Sequence, residues 1–168
     1  EKLWDSWGQP SKLALLCPFT TRPQKHWFEA RWTDLARQLQ AQGWHPVIVG
    51  GPADQEAAER ICSQVPGLVS VAGKLKLDES VALVARSQLL IGVDTGLTHM
   101  GTALRVPTVA LFGSTSPYAD PTAERTHILY DQLPCSPCRR HPTCDGRFDC
   151  MRQLTVARVL GAVQHVTR

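Results

Sequence analysis

Leu89-Leu90-Ile91-Gly92-Val93-Asp94-Thr95-Gly96-Leu97-Thr98-His99, followed by Thr108-Val109-Ala110-Leu111-Phe112-Gly113-Ser114-Thr115-Ser116-Pro117, is the stretch that decides the fold. Each half is a short apolar run that empties into small polar residues, the pattern of a strand buried on both faces. In an open parallel α/β sheet, ligands bind outside the carboxyl ends of the strands, where helix N-termini offer unpaired N–H groups and partial positive charge. Thr95 and Gly96 stand where such a helix begins. Gly96 lets backbone approach a phosphate closely, Thr95 and Thr98 carry hydroxyls, and His99 faces the same end one turn in. The plainer reading of the same residues is a strand-to-helix turn with Asp94 or Thr95 as N-cap.

Outward from this stretch the periodicity alternates between strand and helix. Leu13–Cys17 is a short apolar run stopped by Pro18, and Trp32, Leu35, Ala36 and Leu39 recur at helical spacing until Gly43. Val47–Val49 is a strand closed by Gly50-Gly51-Pro52. Asp54 then caps a helix that buries Ala57, Ala58, Ile61, Cys62 and Val65. Leu68–Val71 reads as a third strand, and Asp78 as the cap of a helix with Val81, Val84 and Ala85 on its inner face. His127–Tyr130 adds one more strand, and Val156, Val159, Leu160 and Val163 form the stripe of a closing helix. The expected fold is α/β, a Rossmann-like parallel sheet with helices on both faces.

The end of the first strand carries a second polar constellation, Thr20-Thr21-Arg22-Pro23-Gln24-Lys25-His26-Trp27, at the same sheet edge as the Asp94 loop. Two hydroxyls and an ammonium suit phosphate oxygens, and Lys25 supplies a point charge able to neutralise a departing diphosphate. The spacing is neither a P-loop nor a G-x-G-x-x-G fingerprint. Taken alone, such a loop is more often a solvated turn, a reading that recedes once it is paired with the Asp94 loop.

At 168 residues the chain fits one domain, and its formal charge of +3 comes from scattered Lys and Arg. There is no basic stripe with interleaved aromatics, so nucleic acid is not an expected partner. No apolar run nears the roughly 18 residues of a membrane span. The opening Glu1-Lys2-Leu3-Trp4-Asp5 lacks both an initiator Met and a signal-peptide core, so the chain reads as a piece of something longer. Residues 1–10 read as a linker segment and 11–168 as the domain.

Together these motifs, with Gly50-Gly51, Asp54 and Glu56, Gly73-Lys74-Leu75 and Phe112-Gly113-Ser114-Thr115-Ser116-Pro117, resemble the C-terminal, donor-binding domain of the lipopolysaccharide heptosyltransferases, GT-B glycosyltransferases that use ADP-heptose. The likeness runs over nearly the whole chain. It implies the C-terminal half of a GT-B enzyme that moves heptose from ADP-heptose to the lipopolysaccharide core, with inversion and no required cofactor or metal. It further implies that Thr20, Thr21 and Lys25 meet the diphosphate and that Asp94 binds heptose hydroxyls. The amides of Thr95, Gly96 and Leu97 and the His99 side chain would serve the phosphates, Glu56 (or, after a slip, Asp54) the ribose, and the region Gly73–Leu75 the adenine. The general base and the acceptor site belong to the family's N-terminal domain, so this chain alone is expected to bind donor without turnover. A cytoplasmic setting with peripheral membrane contact follows from the same likeness. The alternatives are a non-catalytic nucleotide-binding module and a GT-B transferase or epimerase using another nucleotide sugar.

Cys135, Cys138, Cys144 and Cys150, with His141 among them, make a Cys-rich loop over 135–150. Four soft ligands so close admit zinc, which the resemblance does not call for, and the second half lacks the paired spacing of a structural site. A zinc-stabilised interaction module is the reading that would follow if metal were bound. Arg139, Arg140, Arg147 and Arg152 beside the loop read as a solvated face or as contacts to an anionic acceptor or membrane surface. Cys17 and Cys62 read as buried, inert thiols.

Overall fold

The computed structural model describes residues 2–114, 125–131, 133–137, 144 and 146–168. Thr115-Ser116-Pro117, Cys138, Arg139, Arg140 and His141 lie outside these. Six strands, β1 (Leu13–Cys17), β2 (His45–Ile48), β3 (Val69–Ser70), β4 (Leu89–Val93), β5 (Thr108–Phe112) and β6 (Thr126–Tyr130), form one sheet in the order β3-β2-β1-β4-β5-β6. Every neighbouring pair is parallel. The chain builds outward from β1 to β3 and then returns to lay β4 on the other side of β1. This creates a switch point, where two loops diverge and leave a crevice at the strands' carboxyl ends.

Side chains of β1 alternate between two cores, as strand geometry dictates. Ala14 and Leu16 face α2 (Glu29–Ala41), α3 (Gln55–Ser63) and α7 (Val156–Val166), where Trp32, Leu35, Leu39, Ile61 and Val159 are buried. Leu13, Leu15 and Cys17 face α4 (Leu77–Arg86) and α5 (Gly96–Ala103), together with Val84, Leu97 and Met100. Each such fully buried Leu or Ile contributes about 1.5–3 kcal/mol, so both faces of the central strands are held firmly.

Several local expectations shift. The α4 helix is capped at Lys76, whose N–H donates to the Glu79 carboxylate at 3.0 Å, and Asp78 sits inside the first turn. On that helix Val84 is buried, Val81 half-buried and Ala85 exposed. On α3 the buried residues are Ala58 and Ile61, whereas Ala57 and Cys62 are half-buried. Two short helices were not anticipated, α1 (Lys2–Ser6) and α6 (Asp149–Arg152). Trp4 of α1 and the following Trp7 pack on the second core, and the Arg86 guanidinium lies 5.4 Å from the Trp4 ring. No helix among the described residues is long and apolar enough to cross a membrane.

Candidate functional site

Strand β1 ends at Cys17 and the chain leaves the sheet through Pro18, Phe19, Thr20 and Thr21 into a 3-10 turn at Pro23–Lys25. That turn folds back because His26 Nε2 donates to Thr20 O at 2.8 Å. Across the switch point β4 ends at Val93, and Thr95 takes an extended conformation as N-cap of α5 without a side-chain capping bond. The amides that open α5 are therefore at the mouth of the crevice, the arrangement that favours an anion.

The two loops meet through Asp94. Lys25 Nζ lies 2.9 Å from Asp94 Oδ2, and His99 Nε2 donates to Asp94 Oδ1 at 2.9 Å. The carboxylate is only 13% exposed, so this pairing acts in a medium less screened than bulk water. Phe19, Thr20, Thr21, Lys25, Ala53, Asp54, Asp94, Thr95, Gly96 and His99 line a single cleft of ≈ 580 Å³. Its size falls within the usual range for a small-molecule site.

Two glycines explain how backbone and ligand space coexist here. A Cβ at Gly92 would collide with Thr98 Oγ1, so a glycine in β4 lets the first turn of α5 press on the strand. Thr98 is spent on that contact and is buried, which takes its hydroxyl out of the cleft where the sequence reading placed it. A Cβ at Gly96 would meet nothing within 4 Å, and it would project into space that a ligand can fill.

Most of the expected residues converge, and besides Thr98 the side chains of Leu97, Glu56 and Leu75 do not line the cleft. Leu97 packs in the second core and can serve only through its amide. Glu56 points away, its side chain 92% exposed and 3.9 Å from Arg60. Asp54 lines the cleft in its place, with Oδ2 accepting from Gly51 N at 2.8 Å. The cause is a 3-10 turn at Pro52–Asp54, which turns Asp54 back toward Gly50 and Gly51 before α3 begins. Leu75 lines a groove under α1 with Leu3 and Trp4, not the cleft, and the apolar surface of the cleft comes from Phe19 and Ala53. Phe19 was missed by sequence reasoning; its signal is Gly50, where a Cβ would come within 2.7 Å of the Phe19 ring.

Among the described residues no three His, Cys, Asp or Glu side chains gather as an ion would require, although Cys135, Cys144 and Cys150 are all described. Cys144 Sγ accepts from Phe148 N at 3.4 Å. Burial pushes the Cys17 thiol up to about 12, and Cys62, half-exposed, is raised for the same first reason.

The sequence profile of glycosyltransferase family 9 (heptosyltransferase) matches residues 3–147. Lipopolysaccharide heptosyltransferase 1 of Pseudomonas aeruginosa is 34% identical over 143 residues, covering 80% of this chain and 40% of that protein. Lipopolysaccharide heptosyltransferase 2 of Escherichia coli K12 is 29% identical over 144 residues, covering 82% and 41%. The solved structure of E. coli ADP-heptose lipopolysaccharide heptosyltransferase II superposes with a TM-score of 0.81 at 26% identity, over 99% of this chain and 50% of that one. The chain thus spans about two-fifths of the length of these curated relatives. With the profile covering most of its residues, the chain belongs to glycosyltransferase family 9, the heptosyltransferases.

Proposed function

We propose that residues 11–168 form the nucleotide-sugar half of a heptosyltransferase that takes heptose from ADP-heptose and delivers it to a lipopolysaccharide core. The observation that carries this is the convergence of Thr20, Thr21, Lys25, Asp94, Thr95, Gly96 and His99 on one cleft at the β1/β4 switch point. A relative 26% identical carries ADP-heptose in its name, which supports the choice of donor. In this reading the α5 amides and the Thr20 and Thr21 hydroxyls hold the diphosphate, and Lys25 neutralises the charge that develops on it as the glycosidic bond breaks. Asp94 orients Lys25 and accepts from sugar hydroxyls, Asp54 accepts from the ribose, and Phe19 with Ala53 bounds the base.

Inverting transfer also needs a base within hydrogen-bond reach of the acceptor hydroxyl. Neither cleft carboxylate suits that task, since Asp94 is held by Lys25 and His99 and Asp54 by the Gly51 amide. We therefore assign the base, and turnover, to sequence that the longer relatives have in addition, and expect this chain alone to bind without transferring. In the same reading the acceptor is lipid-linked, so the protein would act at the cytoplasmic face of a membrane through peripheral contact. Calorimetric titration with ADP, ADP-heptose and UDP tests the reading. Adenine-selective binding that Lys25→Ala weakens supports it; preference for UDP would move the chain to another nucleotide sugar, and heptose transfer by the chain itself would overturn the division of labour.

A further inference from the structure

Lys25 stands on a turn too short to hold itself. Within the 3-10 turn at Pro23–Lys25 the backbone bonds are Lys25 N to Arg22 O at 3.0 Å and His26 N to Pro23 O at 3.2 Å. A single turn of this kind is marginal without support from outside it. On the leading side the support is local, the His26 bond to Thr20 O. On the trailing side it comes from the far end of the chain: Trp27, just beyond the turn and 4% exposed, donates Nε1–H to Leu154 O at 2.8 Å. The Trp27 ring stands edge-on to Trp32 of α2, with centroids 5.0 Å apart and planes at 89°, which fixes the direction of its N–H.

Two donors converge on the Leu154 carbonyl. Arg31 of α2 donates Nη1 to the same oxygen at 3.0 Å, to Met151 O at 3.3 Å and also to Arg152 O. The last carbonyls of a helix lack partners within it, and Arg31 and Trp27 supply donors to those at the end of α6 and just beyond. The α6 helix in turn sits on the carboxyl end of β5, where a Cβ at Gly113 would meet Cys150 Sγ at 2.7 Å and Met151 Sδ at 3.0 Å. Met151 is fully buried there. The Cys150-Met151 end of the Cys-rich segment thus lies under the carbonyls that hold the Lys25 turn.

We propose that Trp27 is a positioning residue for Lys25, and that residues 150–154 are the buttress against which it acts. Asp94 fixes the ammonium end of Lys25 at 2.9 Å. A lysine stem is long and rotates freely, so holding its head alone leaves the backbone beneath it able to shift. Trp27 holds that backbone, and with both ends fixed the charge meets an anion without rearrangement. Neither Trp27 nor Leu154 lines the cleft, so both act through Lys25. The effect on ligand binding rests on the reading of this cleft as a diphosphate site.

The test replaces Trp27 by benzothienylalanine, which keeps the bicyclic shape and lacks the N–H. Arg31→Gln, which removes the other donor to Leu154 O and leaves the Trp27 ring in place, runs beside it. Each change is made with Lys25 present and again with Lys25→Ala. With Lys25 present, ADP affinity is expected to fall about three- to tenfold, the range of one hydrogen bond. With Lys25→Ala, neither change should lower it further, because the group through which they act is gone. NMR relaxation of the Lys25 Cε methylene in the ligand-free chain should show a more mobile side chain in both variants. Where Lys25→Ala itself weakens ADP, unchanged affinity in the Trp27 variant, or equal losses with and without Lys25, overturns the proposal. A Lys25 as ordered in the variants as in the parent chain overturns it as well. ADP affinity that Lys25→Ala leaves untouched removes the diphosphate reading of the cleft instead, and greater Lys25 mobility in the variants still upholds the positioning role.

Discussion

Asp94 holds Lys25 on one carboxylate oxygen and His99 on the other, each at 2.9 Å. The loop after β1 and the loop after β4 are thereby tied across the crevice that the strand order creates. A carboxylate beside a diphosphate site looks unfavourable by charge alone. In the function proposed above its part is positional: it would set the ammonium where the leaving group develops charge, and a pre-placed cation costs no reorganisation at that moment.

Removing the cation and removing its holder should therefore differ. Lys25→Ala is expected to weaken ADP and ADP-heptose alike, by roughly 10- to 100-fold, the range of a charged hydrogen bond. Under the proposed function, Asp94→Asn keeps the shape, would relieve repulsion of the diphosphate and would lose a sugar contact. It should weaken ADP-heptose more than ADP. Calorimetry with both ligands checks this, and equal losses of ADP and ADP-heptose in D94N would show that Asp94 does not read the sugar.

Asp54 and Glu56 separate a cleft residue from a surface one. Asp54→Asn retains an acceptor for Gly51 N and loses the charge, so ADP affinity should fall by about 1–2 kcal/mol with little effect on Tm. Glu56→Gln should leave affinity unchanged and stability within about 0.5 kcal/mol, since its carboxylate reaches only Arg60. A larger binding loss in E56Q than in D54N would restore the assignment made from sequence.

Gly92 and Gly96 predict a split between folding and binding. Gly92→Ala forces a methyl into Thr98 and Cys17, and overpacking of this kind costs about 1–3 kcal/mol. Gly96→Ala meets no protein atom and adds helix propensity, so Tm should hold or rise slightly while ADP affinity falls. Thermal melts run beside ADP titrations measure both. Equal ADP affinity in G96A would mean that the opening of α5 does not face the phosphates.

What sequence made legible followed from periodicity that few structures could satisfy. Five-residue apolar runs at Leu13–Cys17, Leu89–Val93 and Thr108–Phe112 had to be doubly buried strands, and they are. Polar residues just past their ends then had to share one edge, which brought Lys25 and Asp94 together before any distance was known. Failures came where a short turn changed the phase. Helix α3 starts after Asp54 as its capping role implied, but the 3-10 turn at Pro52–Asp54 sets Asp54 on the cleft and leaves Glu56 exposed, and so short a turn carries little signal in composition. The α6 helix has four residues, too few for a periodic stripe, and it is held largely by Arg31 and Trp27 from the far end of the chain.

Stability should fall in two steps on acidification. His127 on β6 faces His165 on α7 with ring centres 5.3 Å apart, and burial first, then the neighbouring imidazole, lowers its pKa. Burial lowers His45 as well. A histidine whose folded pKa lies below the ordinary 6.5 binds fewer protons than its unfolded counterpart, so its contribution is complete above 6.5 and is lost as pH falls through the folded value. Asp131, lowered by the Arg158 hydrogen bonds at 2.7 and 2.9 Å, acts further down: its contribution is present above the ordinary 3.8 and is lost below that. Tm should be level from pH 8 to 7, decline below 6.5, and decline again below 3.8. His127→Gln should shrink the first step while leaving the part due to His45, and Asp131→Asn should lower the neutral plateau by about 0.2–1 kcal/mol and blunt the second. Calorimetric melts across this range decide it; a Tm that rises between pH 7 and 5 would mean that these imidazoles gain, not lose, from carrying charge in the fold.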